Sequence, residues 1–153
     1  MGTREACFDR RLYNRRISSD AVSVCREVSG VLDWIDHMSQ LSVDDQYDIK
    51  VILCELLQNA VRHGNKMDRT KTILLDVTLN EQNTLEISVQ DEGPGFDIER
   101  MLAQKRDIRT KTQEVSDLDE FGRGLLIVGS LCDAIHGNEM GNRVTVRKQM
   151  QRS

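Results

Sequence analysis

Two runs in the middle of this chain alternate in a way that commits it to a sheet with one apolar face. Ile73, Leu75, Val77 and Leu79 alternate with Leu74, Asp76 and Thr78; after a turn at Asn80 to Asn83, the pattern resumes with Leu85, Ile87 and Val89. Such a pair reads as a β-hairpin, and its apolar side has to be covered by another layer. Two helical stripes supply the cover. Val24, Val28, Val31, Leu32 and Ile35 recur at helical spacing to about residue 38, behind candidate caps at Ser18, Ser19 and Asp20. Ile49, Ile52, Leu53, Leu56, Leu57 and Ala60 mark one side of a second helix over 43–64, with Gly64 as its stop.

The flanks extend the scheme. A strand is expected over 5–16, with Phe8, Leu12 and Tyr13 among arginines, and a short helix over 97–104. A helix over 123–134 follows, then a hairpin joining 133–136 to 143–148 through a turn at 137–142. Trp34 is expected to serve core or interface packing. The fold class implied is α+β: a two-layer α/β sandwich with a mixed, mostly antiparallel sheet covered by helices on one face. Its 153 residues suit a single domain, 1–153, since domains commonly run about 100 to 150 residues.

Composition narrows the function classes. A net charge of −4 and a pI near 5.4 argue against a general nucleic-acid binder, despite the arginines at positions 4, 10, 11, 15 and 16. Those arginines could meet an acidic partner or simply protect an edge strand. The four cysteines, at 7, 25, 54 and 132, form no C-x-x-C pair, so reduced and mostly buried thiols are expected. With no apolar signal core, no myristoylation pattern and no apolar stretch long enough to span a bilayer, a cytoplasmic protein without membrane attachment is expected.

Chemistry concentrates in three segments. The first, Glu55 to Gly64, sets Glu55 one helical turn from Asn59, with Arg62, His63 and Lys66 along the same polar stripe. A carboxylate beside a carboxamide suits Mg²⁺ and water positioning, because hard cations take oxygen ligands; a solvated helix face gives the same spacing. The second is Asp91-Glu-Gly93-Pro-Gly95-Phe96. Asp91 continues the inward register of Leu85, Ile87 and Val89, so its carboxylate needs a donor, and an adenine amine could supply one. Gly93 and Gly95 permit a close turn around a flat base, with Phe96 packed beneath; an ordinary Asp-Gly loop would look alike. The third, Gly122-Arg123-Gly124-Leu125, opens a helix whose free N–H groups favour anions, although a glycine cap on a loop has the same look. No P-loop sequence occurs, and Gly93-Pro-Gly95 lacks the third glycine of a dinucleotide fingerprint.

In this order the segments resemble the GHKL ATPase superfamily, and within it the anti-sigma-factor serine/threonine kinases of bacterial stress and sporulation switches. The resemblance covers nearly the whole chain through Glu-Leu-x-x-Asn-Ala-x-x-His-Gly, Asp-x-Gly-Pro-Gly-Phe and Gly-Arg-Gly-Leu. It implies ATP and Mg²⁺ as cofactors, Asn59 as metal ligand, Glu55 as general base and Asp91 as acceptor for the adenine amine. It makes Gly95 part of the base turn and Gly122 and Gly124 part of the phosphate loop. Arg62 and His63 could also face phosphate, while His63 equally suits a helix-end cap. One departure falls in the last hairpin, where the family follows glycine with threonines lining the adenine side and this chain has Asn142 and Arg143 after Gly141.

The expected activity is transfer of the γ-phosphoryl of ATP to a serine or threonine on an anti-anti-sigma partner, with a sigma factor as second partner and homodimers as in the resembling family. The polar insert 104–120, with Lys105, Arg106, Arg109 and Lys111, would act as a lid over the triphosphate, or be a polar loop without that role. Two rivals stand beside this reading. A nucleotide-gated binding module would sequester a sigma factor without transfer. A histidine-kinase ATPase domain would need a phosphoacceptor, and His37, in Trp-Ile-Asp-His-Met-Ser-Gln, lacks the acid and arginine expected after one.

Overall fold

The computed structural model describes residues 11–100, 102–103 and 120–151. The alternating hairpin is its centre. Strands β2 (Thr72–Leu79) and β3 (Thr84–Gln90) pair antiparallel, with Leu75 opposite Val89 and Val77 opposite Ile87. Ile73, Leu75, Val77, Leu79, Leu85, Ile87 and Val89 are all buried. Asn80 closes the turn by accepting the Thr84 N–H on Oδ1 at 2.9 Å, while Asn83 takes a left-handed φ of 63°, which asparagine tolerates.

Strand β1 (Arg11–Ser18) lies beside β2, and β5 (Arg143–Gln149) beside β3, with β4 (Ala134–Gly137) outermost, giving the order β1-β2-β3-β5-β4. Each pairing among these strands is antiparallel. β1 ends two residues later than alternation suggests, because Arg16, Ile17 and Ser18 stay in register with Leu74, Ile73 and Thr72. Residues 5–10 of the expected strand lie outside the described residues. The helix start therefore narrows to Asp20, whose Oδ1 accepts the Ser23 N–H at 2.9 Å.

Helix α1 (Ala21–Ser39) buries Val24, Val28, Val31 and Ile35. Helix α2 (Val43–Asn59), capped by Ser42 Oγ on the Asp45 N–H, buries Ile49, Ile52, Leu53, Leu56 and Leu57. These side chains and the inner residues of the sheet form one apolar cluster. The other face of the sheet is polar: Arg143 reaches Asp76, Arg147 pairs with Glu86, and the Ser88 and Thr145 hydroxyls meet at 2.7 Å. Trp34 is half-buried and packs on Tyr13 with ring centroids 5.5 Å apart. Cys54 and Cys132 are half-buried and burial raises both thiol pKa values, but Cys25 is exposed, one residue off the apolar stripe of α1.

Two element boundaries matter for the site. α2 continues past Asn59 as a single π-helical turn, Ala60–Gly64, closed by the Asn65 N–H on Ala60 O at 2.8 Å. Helix α3 (Glu120–Leu131) stops three residues short of the expected 134, and it is already helical at Glu120, ahead of the expected 123. It ends where Asp133 is drawn to the sheet, its N–H donating to Arg147 O and its carboxylate accepting the Gln149 N–H. Gly122 and Gly124 thus lie inside the opening of the helix and not in a turn before it. Residues 98–100 and 102–103 are helical, and Ile98 and Leu102 join Leu125 in a small second core. The insert lies outside the described residues except for Glu120. Among the described residues, no helix is long and apolar enough to cross a membrane.

Candidate functional site

The missing side chain of Gly124 lets α3 close on α2. A Cβ at that position would stand 2.7 Å from Glu55 Oε2 and 3.3 Å from Asn59 Nδ2. Segments 65 residues apart in the chain therefore meet at the two oxygen-bearing side chains of α2. Asn59 is buried, and among the described residues its Nδ2 has no hydrogen-bond partner. Leaving a buried amide unsatisfied costs about 1–3 kcal/mol, so its position is better explained by a ligand than by the fold.

The second segment interlocks with the end of the first. Asp91 follows β3 in the inward register and is half-buried. A Cβ at Gly64 would lie 2.1 Å from Asp91 Oδ2, and one at Gly93 would lie 2.3 Å from Gly64 O. The Asp91 N–H donates to Asn142 O at 2.9 Å, and its Oδ1 accepts the Gly93 N–H at 2.7 Å. Burial pushes the Asp91 pKa above the usual carboxylate value, opposed by the Gly93 N–H and then by the positive charge of Lys71. The Asp91 Oδ1 is already bonded, which leaves Oδ2 as the acceptor that a ligand could meet.

Between the two clusters lies a narrow cleft. Its lining is mostly apolar, from Leu56, Ala60, Val89, Ile98, Leu125 and Val144, with Phe96 and Gly141, and among the described residues its polar side chains are those of Asn59 and Asp91. That balance suits a flat organic ring fixed by a few polar groups. Phe96 is 38% exposed and lines the cleft, and its N–H donates to Gly141 O at 3.0 Å. Gly95, with φ of 90°, is pressed against Met140 O, where no other residue would sit without strain.

The remaining expected residues stand further off. Gly122 is buried and Arg123 half-buried in the first turn of α3, and neither lines the cleft. Arg62 is exposed and His63 half-buried in the π-helical turn, also away from the lining. Asn65 is a residue that the sequence did not single out. Fully buried, it donates from Nδ2 to Thr72 O at 3.0 Å and Ser19 Oγ at 3.3 Å, and accepts the Glu92 N–H on Oδ1 at 2.8 Å. The only sequence signal was an asparagine directly after a helix-ending glycine, which ordinarily marks a turn.

Comparison with known proteins adds an independent line. Residues 17–148 match the histidine kinase-like ATPase domain family. The serine-protein kinase RsbW of Halalkalibacterium halodurans is 31% identical over 136 residues, covering 88% of this chain and 79% of that protein. The serine-protein kinase RsbW of Bacillus subtilis is 30% identical over 110 residues, 70% of this chain and 66% of its own length. The anti-sigma F factor of Priestia megaterium is 29% identical over 94 residues, 61% of this chain, and the match spans 60% of that relative, less than two thirds of it.

Proposed function

The chain belongs to the histidine kinase-like ATPase domain family, and from that premise we propose that it is an ATP-dependent anti-sigma factor and serine/threonine protein kinase whose substrate is an anti-anti-sigma partner. Relatives named as serine-protein kinases and as an anti-sigma factor support both halves of this reading. The observation that carries it to the site is the meeting of Glu55 and Gly124 with Asn59, which lines a cleft shared with the Asp91 carboxylate.

Each residue has a role its chemistry supports. Asp91 accepts a hydrogen bond from the adenine amine, and the apolar walls hold the ring and exclude water. Asn59 fits a metal: its amide is buried in the cleft, uncommitted at Nδ2, and turned about its terminal bond it offers the hard oxygen that Mg²⁺ takes. When bound, Mg²⁺ supplies positive charge to the phosphate oxygens. The glycine segment of α3, Gly122 and Gly124, would lie against the phosphates, where a helix opening favours an anion. In the transfer itself, the seryl or threonyl oxygen forms a bond to the γ-phosphorus as the bond to ADP breaks. The departing hydroxyl proton goes to Glu55.

The test is Glu55→Gln. ATP binding by calorimetry should be retained, while transfer from γ-labelled ATP to the cognate partner should fall about a hundredfold or more. Full transfer by this variant would remove Glu55 as the base. The anti-sigma activity is read separately, by sigma-factor capture with ATP, ADP or no nucleotide. Equal capture in all three would mean that nucleotide does not gate binding.

A further inference from the structure

The turn between β4 and β5 is closed by a backbone bond from the Gly141 N–H to Asn138 O at 3.1 Å and, more extensively, by the Asn138 side chain. Asn138 Oδ1 accepts the backbone N–H groups of Gly141, Asn142 and Arg143 at 2.7, 3.1 and 3.2 Å, and its Nδ2 donates to Asn142 Oδ1 at 2.9 Å. Its own N–H donates to Arg143 O at 3.1 Å. This is a local backbone mimic of the kind asparagine forms in tight turns, here used three times over.

What the turn holds is the cleft. Asn142 O receives the Asp91 N–H, and Gly141 O receives the Phe96 N–H, so both ends of the Asp91–Phe96 loop hang from the segment that Asn138 fixes. Gly141 and Val144 line the cleft directly. Asn138 itself does not line the cleft. We propose that Asn138 is a positioning residue for nucleotide recognition, setting the place of the Asp91 carboxylate and of the Phe96 wall through the backbone of residues 141 and 142. Gly141 is followed by Asn142 and Arg143, and the backbone of 141 and 142 carries the two bonds to the loop, so the shape of the turn, and with it Asn138, decides where the wall stands.

The inference rests on the nucleotide reading of the cleft, and two measurements separate them. The first needs no ligand: amide hydrogen exchange of Asn138→Ala. Exchange at the Asp91 and Phe96 N–H groups should accelerate, while Val77 and Ile87 in the sheet centre stay protected as in the wild type. Unchanged exchange at Asp91 and Phe96 overturns the clamp. The second is calorimetric titration of wild type, Asn138→Ala and Asn138→Asp with Mg-ATP and Mg-GTP. Asn138→Ala should lose about tenfold in ATP affinity, and its preference for ATP over GTP should shrink, because a wandering Asp91 no longer selects an amine over a carbonyl. Asn138→Asp keeps the triple acceptor, and the Asn142 amide can turn to meet it, so affinity and preference should return to within about threefold of wild type. A lower folded fraction alone would change the apparent number of sites and leave the ATP-to-GTP ratio untouched. An unchanged ratio in Asn138→Ala, or no rescue by Asn138→Asp, overturns the positioning role. Wild type that binds neither nucleotide overturns the nucleotide reading, and with it the positioning role.

Discussion

Asp91 sits where its own stability and its proposed use conflict. Burial raises its pKa in the folded chain above the unfolded value, so the folded state favours the protonated form. The stability linked to Asp91 is therefore present at low pH and lost as pH rises through the raised folded pKa. At neutral pH the ionised carboxylate is a cost that the neutral Asp91→Asn avoids. The variant should melt above wild type at pH 7, with the gap closing as pH falls through the Asp91 titration, while its ATP binding is lost. A wild type that melts higher at pH 7 would mean that the Gly93 N–H and Lys71 outweigh desolvation. At this scale the sequence was partly legible: period-two alternation from Leu85 predicted an inward Asp91. Asn65 and Asn138 were not legible, because asparagine in a turn is ordinary and only the three-dimensional partners reveal what it holds.

At the scale of elements, the approach of α3 to α2 is the decisive contact. In Gly124→Ala the added Cβ meets the far end of Glu55, a flexible side chain that can move aside. Alanine also favours a helix over glycine by about 0.8–1.0 kcal/mol, so thermal stability should change by less than about 1 kcal/mol. Phosphoryl transfer should nevertheless fall about tenfold or more, since a displaced Glu55 no longer meets the hydroxyl. Full transfer with unchanged stability would show that the close approach is incidental. Helix existence was legible from the apolar stripes, but two ends were not. The π-helical turn after Asn59 brings Gly64 against Asp91, and α3 is already helical ahead of its apolar stripe because helix ends are not set by hydrophobicity alone.

The whole molecule is tied together far from the cleft by Lys148. Its side chain is 12% exposed, with Nζ 3.4 Å from Asp48 Oδ2, 3.7 Å from Asp45 Oδ1 and 3.1 Å from Leu131 O, so β5, α2 and the end of α3 share one cation. Asp45, itself buried, also accepts the Gln151 N–H at 2.7 Å. Lys148→Ala strands that carboxylate and should cost about 3 kcal/mol or more in urea unfolding, with ATP affinity of the folded fraction unchanged. A smaller loss would mean that water and Gln151 satisfy Asp45 alone. The layered architecture was legible, because each apolar stripe must find another; the ion cluster was not, because it joins residues about 100 positions apart.

The cleft is divided between two supports: Asp91 hangs from the sheet, whereas Glu55, Asn59 and Gly124 belong to a pair of helices. Damage should therefore sort into two genetic kinds. An allele broken at the sheet end makes an empty, recessive protein. An allele that loses only the Glu55 carboxylate should still fill with ATP while failing in transfer, and by occupying partners unproductively it should be dominant in a cell carrying both forms.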